Sequence, residues 1–291
     1  MDISEIKKRL QQLGAAPKKS LGQNFLVSDR ALSLIMDSVR SLEADAFLEI
    51  GPGLGSLTER MVDLKKPITL LELDRAFCGF WREKNYSVIE GDALQLDWQT
   101  LVSEIRGSSP KVVLVSNLPY QISSSIVIDR SMDTDPLDAM VLMFQKEVAQ
   151  RIQSPVGKDD YGLLTVIAQC FWDIELVLEA APKEFYPAPQ IASRVLQFKP
   201  KSHVGGIKES LDTWKSDKKA KFLNFVKQGF SQRRKFLVSN LAGFYSSKDQ
   251  AQQVLGGILK SLGHDEKVRA EALSPKQWTE LFVQYLAAAG K

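Results

Sequence analysis

The sequence predicts an α/β fold, in which a doubly wound parallel sheet is followed by a smaller, all-α C-terminal domain. Short apolar runs that suit buried strands occur at residues 46–50, 68–73, 86–89, 111–115 and 139–144. Helical patterns lie between these runs, at residues 29–40, 56–64, 75–84 and 123–130. Strands and helices that alternate at this spacing are typical of a Rossmann-like sheet with helices on both faces.

The pattern of the chain changes near residue 200. Before that point, residues 172–178 and 191–198 are two further strand candidates, separated by a proline-rich turn. After it, apolar residues at helical spacing predict helices near residues 222–230, 249–262 and 274–288. We therefore divide the chain into an α/β domain over residues 1–200 and a helical domain over residues 201–291.

Composition excludes several classes of protein. The chain is 44% hydrophobic and 25% charged, which is ordinary for a globular protein. No apolar stretch reaches the roughly 18 residues of a membrane span, and the first residues lack the apolar core of a signal peptide. Only two cysteines, Cys78 and Cys170, occur in a chain of this size, which argues against a disulfide framework and for a reducing compartment. We expect a cytoplasmic protein that does not bind membranes.

The net charge of +3 is unevenly distributed. Ten basic but only three acidic residues lie between residues 201 and 240. A second basic group lies near the N-terminus, at Lys7, Lys8, Arg9, Lys18 and Lys19. Such runs are usually solvated surface, but two separate clusters in a nearly neutral chain also fit a polyanionic partner.

Polar residues follow four of the predicted strands, at the carboxyl ends where open α/β sheets bind ligands. The stretch 49–55, E-I-G-P-G-L-G, lets a ligand lie against bare backbone at the start of a helix. Glu72 can accept hydrogen bonds from ribose hydroxyls, and Asp92 can accept one from an adenine amine. The fourth end is S-N-L-P-Y, residues 116–120. One such end could be a cap or a turn, whereas four together indicate a pocket for an adenosine-bearing cofactor.

The spacing of the glycines selects among such cofactors. Dinucleotide sites usually carry G-x-G-x-x-G around a pyrophosphate, whereas this chain has G-x-G-x-G preceded by Glu49. A carboxylate is awkward beside a pyrophosphate but suits the ammonium of a methionyl group. S-adenosylmethionine therefore fits better than NAD.

The N-L-P-Y stretch is suited to methyl transfer onto an adenine amine. The nitrogen lone pair is delocalised into the ring, so acceptors from the Asn117 side chain and a backbone carbonyl near Leu118 would favour the tetrahedral nitrogen that attacks. Pro119 would hold the turn, and Tyr120 would stack on the base. The alternative interpretation is a simple turn with a packed tyrosine.

These motifs resemble, in order, those of the small-subunit rRNA adenine N6-dimethyltransferases. The resemblance runs from about residue 19 to the C-terminus. Besides the strand-end motifs, it is carried by K-S-L-G-Q-N-F-L (19–26), which is similar to the family's cofactor-lid motif. Three further stretches carry it: F-Q-K-E-V-A-Q-R-I (144–152), F-Y-P-A-P-Q-I-A-S (185–193) and G-F-S-Q-R-R-K (229–235). Departures from the family pattern are mild: Ser116, Gln121, Ala188 and Gln190 replace more usual residues.

The resemblance implies a monomeric enzyme that dimethylates N6 of two adjacent adenosines in the 3′-terminal hairpin of small-subunit rRNA, in the immature subunit. S-adenosylmethionine, converted to S-adenosylhomocysteine, would contact Gln23, Asn24, Leu26, Glu49, Gly51, Gly53, Glu72, Asp92, Ala93 and Asn117. The catalytic residues would be Asn117, Leu118, Pro119, Tyr120 and Phe185, with Tyr120 and Phe185 sandwiching a flipped adenine. RNA phosphates would be bound by Arg233, Arg234 and Lys235, with Lys146 and Arg151 as further candidates.

Several alternatives remain open from sequence. Phe185 could be a core aromatic, and Lys146 and Arg151 could belong to a solvated helix face. A large-subunit rRNA methyltransferase of the antibiotic-resistance type shares the catalytic motifs, although residues 262–274 resemble the small-subunit family's ending. A DNA adenine methyltransferase is a less favoured alternative, because such enzymes generally carry D-P-P-Y in place of N-L-P-Y. A ribosome-assembly factor with secondary catalysis is the third possibility. His203 and His264 lack partners at metal-ligand spacing, so we expect no metal.

Overall fold

The computed structural model of the protein describes residues 1–18, 21–201 and 214–288. Its strands are β1 (Phe25–Leu26), β2 (Ala46–Ile50), β3 (Ile68–Glu72), β4 (Ser87–Glu90), β5 (Val112–Asn117), β6 (Ala139–Gln145), β7 (Trp172–Ala180), β8 (Phe185–Tyr186) and β9 (Ser193–Pro200). Its α-helices are α1 (Ile3–Gln12), α2 (Asp29–Arg40), α3 (Thr58–Met61), α4 (Arg75–Glu83), α5 (Trp98–Arg106), α6 (Ser123–Met132), α7 (Lys146–Ile152), α8 (Leu163–Phe171), α9 (Ser216–Gly229), α10 (Leu237–Leu241), α11 (Lys248–Ser261) and α12 (Pro275–Ala288).

Seven strands form one sheet, in the order β4-β3-β2-β5-β6-β9-β7. Strands β2 to β6 run parallel to one another, as the alternating pattern predicts. The two later strand candidates join the same sheet, where β9 runs antiparallel to β6 and makes the sheet mixed. Because β3 and β5 flank β2 on opposite sides, the strand order reverses at β2, and the carboxyl end of β2 is the switch point where such folds bind ligands.

Burial of apolar residues on both faces holds this sheet in place. Every residue of β2 is buried, and so is all of β5 except its last residue, Asn117. Helix α2 begins at the N-cap Ser28, whose side chain accepts the amide of Ala31. Its apolar face packs into a core cluster with Phe47 and Val113 of the sheet. Each fully buried aliphatic side chain contributes about 1.5–3 kcal/mol relative to exposure. The strand ends are therefore anchored on a rigid core.

Helix α1 and the short strands β1 and β8 are among the elements that the sequence analysis does not predict. Helix α1 begins at Asp2, whose carboxylate accepts the amide of Glu5, and buries Ile6 and Leu10. These two side chains cluster with Leu54, which lies in the glycine-rich turn. The short strands β1 and β8 pair with each other in a separate two-stranded sheet.

The chain separates into two compact units. The first contains residues 1–130, 135–149 and 173–200, and the second contains residues 131–134, 150–172 and 201–291. The chain passes from the first unit to the second after residue 200, where the composition of the sequence changes. The segment 150–172 also belongs to the second unit, because the largely buried helix α8 packs against α9 and α12. Within the described residues, no helix is both long and apolar enough to cross a membrane.

Aromatic side chains form the core of the second unit. Phe225 stacks on Tyr285 with ring centroids 5.0 Å apart, and Phe230 stacks on Trp278 at 5.4 Å. Gly229, the last residue of α9, lies directly against this core. A Cβ on Gly229 would come within 2.3 Å of the Trp278 ring, so only glycine fits there.

We expect Gly229→Ala to lower the free energy of unfolding by about 1–3 kcal/mol, because overpacking must displace Trp278. Chemical denaturation measures the change. Gly257→Ala is the matched control: Gly257 is exposed on α11 with nothing within 4 Å of an added Cβ. Alanine there should stabilise the helix by about 0.5–1 kcal/mol. Two changes of the same sign and size would contradict this account of Gly229.

Candidate active site

A cavity of about 260 Å³ lies at the carboxyl ends of β2, β3, β4 and β5. Its walls include every residue assigned from sequence to the cofactor: Gln23, Asn24, Leu26, Glu49, Gly51, Gly53, Glu72, Asp92, Ala93 and Asn117. Pro119 also lines it, together with residues not assigned from sequence, among them Phe25, Ser56, Leu73 and Ile122. Residues far apart in the chain therefore share one concave surface.

The glycine-rich turn after β2 requires all three of its glycines. Gly51, Gly53 and Gly55 have φ angles of 63°, 52° and 96°, in the left-handed region that side chains disfavour. A Cβ on Gly55 would also lie 2.5 Å from the ring of Trp81, whose Nε1 donates to the Gly53 carbonyl at 2.9 Å. The bare backbone of the turn thus faces the cavity, while Trp81 supports it from behind.

Helix α1 supports the same turn from another direction. The guanidinium of Arg9 donates to the Leu54 carbonyl at 3.0 Å and pairs with Glu59 at 2.5 Å. The turn is therefore fixed by contacts with α1 and α4 as well as by its own hydrogen bonds.

The carboxylate of Glu72 is buried at the end of β3 and held by the backbone. The amides of Leu73 and Asp74 donate to Oε1 at 2.9 Å, and the amide of Gly53 donates to Oε2 at 3.2 Å. Burial raises the pKa of Glu72, and these amides partly offset the rise. Both oxygens are fixed in position. Oε1 already accepts two amides, whereas Oε2 accepts one and keeps a lone pair for a further donor.

Glu49 is the more unusual carboxyl group. It is 2% exposed, and Thr58 donates to its Oε2 at 2.6 Å. Burial, with a smaller effect from the charge of Glu72, raises the pKa of Glu49 to about 8, against the lowering effect of Thr58. Near neutral pH, Glu49 is therefore largely protonated, and a cation placed beside it would favour the carboxylate.

We expect Glu49→Gln to stabilise the protein increasingly as pH rises. Between about pH 4.5 and about 8, folded Glu49 holds a proton that the unfolded chain has lost. The free energy of unfolding of the parent therefore falls across this window, by up to about 1.4 kcal/mol per pH unit. The amide of the variant does not titrate and has no such dependence. Denaturation at intervals from pH 5 to pH 9 measures the difference, with the exposed Glu83→Gln as control. Parallel profiles for the parent and Glu49→Gln would refute this account.

Asp74 connects the segment before β1 to the start of α4. Its Oδ2 accepts from Lys18 at 2.8 Å and from Gln23 at 3.2 Å, while its Oδ1 caps α4 through the amide of Ala76. Burial by itself would raise the pKa of Asp74, but these donors outweigh it and lower the pKa. Lys19 and Ser20, which begin the motif assigned as a lid, lie outside the described residues.

Asn117 has one side of its amide fixed and the other available. Its Nδ2 donates to the Asn24 carbonyl at 2.9 Å, which sets the orientation of the amide because a carbonyl only accepts. In the described part of the chain, no hydrogen bond reaches Oδ1. The hydroxyl of Ser116 donates to the Ile50 carbonyl at 2.6 Å and ties the end of β5 to the end of β2. Leu118 is buried and does not line the cavity.

Tyr120 is half-buried and held at both ends. Its hydroxyl shares a hydrogen bond of 2.9 Å with the hydroxyl of Ser193, and its carbonyl accepts from Ser123 at 2.9 Å. Burial raises the pKa of the Tyr120 hydroxyl, in spite of the lowering effect of Ser193. Phe185 is buried in the same core cluster as α2, opposite Leu26 and outside the cavity wall. Its stacking on an adenine stays a prediction.

The residues assigned to RNA differ in their surroundings. Lys146 pairs with Glu179 at 2.7 Å, whereas Arg151 is exposed on α7. Arg233, Arg234 and Lys235 are all exposed after α9, and Arg233 donates to the Tyr161 carbonyl at 3.2 Å. Arg234 and Lys235 have no ion-pair partner among the residues that the structure describes. A contact between any of these side chains and RNA stays a prediction.

Three hydrogen-bonding partners that orient side chains of the site are also not identified from sequence. Thr58 binds Glu49, Lys18 binds Asp74, and Ser193 binds Tyr120. Only Ser193 carries a sequence signal, since it ends the F-Y-P-A-P-Q-I-A-S motif. Over residues 1–18, 21–201 and 214–288, no group of three or more histidine, cysteine or acidic side chains is arranged to hold a metal ion. The expectation of a metal-free site stays a prediction.

Comparison with known proteins identifies the family. A family model described as ribosomal RNA adenine dimethylase matches residues 14–285. A protein of Bdellovibrio bacteriovorus named ribosomal RNA small subunit methyltransferase A is 48% identical, over 97% of this chain and 99% of its own length. One of the same name from Natranaerobius thermophilus is 34% identical, over 96% and 94% of the two chains.

Solved structures agree on the fold. A dimethyladenosine transferase from Plasmodium falciparum superposes with a TM-score of 0.72 at 22% identity, covering 91% of this chain and 98% of its own. The 23S rRNA methyltransferase ErmE superposes with a TM-score of 0.61 at 22% identity, covering 90% and 99%. Given the match of the family model along nearly the whole chain, this protein belongs to the ribosomal RNA adenine dimethylases.

Proposed function

We propose that this protein transfers methyl groups from S-adenosylmethionine to N6 of two adjacent adenosines in the 3′-terminal hairpin of small-subunit rRNA. The observation that carries the proposal is the state of Asn117. Its Nδ2 is fixed on the Asn24 carbonyl, and its Oδ1 is left as an acceptor at the wall of the cavity. An amide oxygen fixed in this way suits the polarisation of an amine that is otherwise a poor nucleophile.

The cavity walls fit the three parts of S-adenosylmethionine. Glu72 offers a carboxylate with a free lone pair on Oε2 to a ribose hydroxyl, and the buried Glu49 offers its carboxylate to the methionyl ammonium. Asp92 and Ala93 would lie against the adenine, and the bare turn at Gly51 and Gly53 would accommodate the methionyl backbone. When bound, this cofactor supplies an electrophilic methyl group.

The chain's own residues would orient the target amine. Asn117 Oδ1 and a backbone carbonyl near Leu118 each accept a hydrogen bond from the amine. These two hydrogen bonds localise the lone pair on the nitrogen. Tyr120, held by Ser193, presents its ring to the base. No general base is needed, because the methylated nitrogen loses its proton readily to water. Positioning therefore supplies most of the rate.

The small subunit is favoured over the large subunit as the substrate. The relatives at 48% and 34% identity are named for the small subunit. The likeness to ErmE, at 22% identity, concerns the fold. We place the enzyme in the cytoplasm as a monomer that acts on immature subunits, without a metal.

Methyl transfer from labelled S-adenosylmethionine tests the proposal. Small subunits lacking the modification, large-subunit precursors and naked rRNA are compared as substrates. We expect N6,N6-dimethyladenosine in the small-subunit rRNA. Asn117→Ala should lower turnover by roughly 10²–10³-fold, as loss of a preorganised polar group does in other enzymes. The exposed Asn224→Ala is the control and should behave as the parent.

Two results would count against this function. Label confined to large-subunit RNA would move the enzyme to the resistance type. Cofactor binding and subunit binding without any label would favour an assembly factor. In that case, Asn117→Ala protein would still restore subunit assembly in cells that lack the parent.

The contact between Tyr120 and Ser193 yields a second test. We expect Ser193→Ala and Tyr120→Phe each to lower turnover about two- to tenfold, the range for one net hydrogen bond. The double variant should be no worse than either single variant, because both remove the same bond. Cofactor affinity should not change, since neither residue lines the cavity. Additive losses would show that Ser193 acts independently of Tyr120.

A further inference from the structure

Phe236 is a large apolar side chain that the second unit leaves exposed. It is 41% exposed and directly follows the basic residues Arg233, Arg234 and Lys235. A single exposed apolar residue needs no explanation, but an aromatic ring beside uncompensated cations is a different feature. We propose that Phe236 stacks on an unpaired RNA base other than the target adenosine, while neighbouring cations bind its phosphates. This inference deepens the proposed function and rests on it for the identity of the RNA.

A backbone hydrogen bond brings a second basic segment to Phe236. The amide of Leu237 donates to the carbonyl of Val268 at 2.8 Å. This contact places the segment 265–269 alongside Phe236, with Lys267 and Arg269 exposed on either side of Val268. We call Arg234, Lys235, Phe236, Lys267 and Arg269 the aromatic–basic surface. Its two halves are about thirty residues apart in sequence, so no local pattern reveals it.

Two acidic residues, Asp265 and Glu266, lie near this surface, and of the two only Glu266 has an ion-pair partner among the described residues. Glu266 pairs with Lys260 at 2.8 Å and also accepts from Gln252. Asp265 accepts the backbone amide of Lys267 at 2.5 Å. Within the described residues, none of the four cations of the aromatic–basic surface has an ion-pair partner. The surface therefore keeps a positive charge that complements a polyanion.

A groove gives the ring access to a flat ligand. A depression of about 440 Å³ is lined by Phe236, by Lys260 and Lys267, and by the acidic residues Asp265 and Glu266. Aromatic rings flanked by cations are the usual means of holding single-stranded RNA, because every base offers a π face. Such a contact recognises an unpaired base rather than a sequence. It would help the protein to select subunits in which that base is still accessible.

Binding to small subunits that lack the modification tests the inference. We expect Phe236→Ala to weaken binding by roughly 5- to 100-fold, the range for loss of one stacked base. Phe236→Tyr should bind as the parent, and Phe236→Leu should resemble the alanine variant, because leucine keeps the apolar contact but not the stacking. Leu176→Ala, which truncates a 48% exposed side chain elsewhere, is the matched control and should have no effect.

Salt dependence separates the two kinds of contact. Lys267→Gln should reduce the slope of log affinity against log salt by about one, whereas Phe236→Ala should lower affinity at every salt concentration without changing the slope. A photoreactive p-benzoylphenylalanine in place of Phe236 should crosslink to rRNA.

Four outcomes would overturn the inference: unchanged binding by Phe236→Ala, full binding by Phe236→Leu, a crosslink to a ribosomal protein instead of RNA, or failure of the parent to bind subunits. Binding is measured separately from methyl transfer. A parent that binds but transfers no methyl group would contradict the proposed function, and the Phe236 comparison would still decide this inference.

Discussion

The pairing of β2 with β3 on one side and β5 on the other is the constraint on which the site depends. The register sets Ile50 opposite Leu71 and Glu49 opposite Val115. Glu72 and Asn117 consequently emerge at the same edge of the sheet as the glycine-rich turn. A slip of one residue would turn each side chain to the other face. The buried runs of β2 and β5 oppose such a slip, so the apolar core determines the geometry of the polar site.

This logic explains which parts of the site could be predicted from sequence. Glu49, Glu72, Asp92 and Asn117 each follow an apolar run, and parallel strands bring such positions together without further information. The contacts that orient them lack that signal. Tyr120 and its partner Ser193 are 73 residues apart, and either residue alone reads as an ordinary turn or strand position.

The same limit applies to the fold. Helix α1 is short and amphipathic, and only contact with Leu54 reveals its part in supporting the turn. Helix α8 is almost entirely buried and has no polar face. The periodicity of its sequence therefore does not show to which of the two units it belongs. Glu49 shows a further conflict that sequence does not display: its burial opposes its own ionisation, and the protein keeps it in spite of the cost in stability. Such a conflict is usual where a residue is retained for binding.

Trp81 has a consequence for how the protein can be studied. It is fully buried, its indole nitrogen is bonded to the Gly53 carbonyl, and its ring closes the space behind Gly55. Any ligand that shifts the turn by a few tenths of an ångström must alter the surroundings of this ring. The part of the tryptophan emission change that is lost when Trp81 is replaced by phenylalanine would thus report occupancy of the cavity from inside the fold, without a label on either the protein or the ligand.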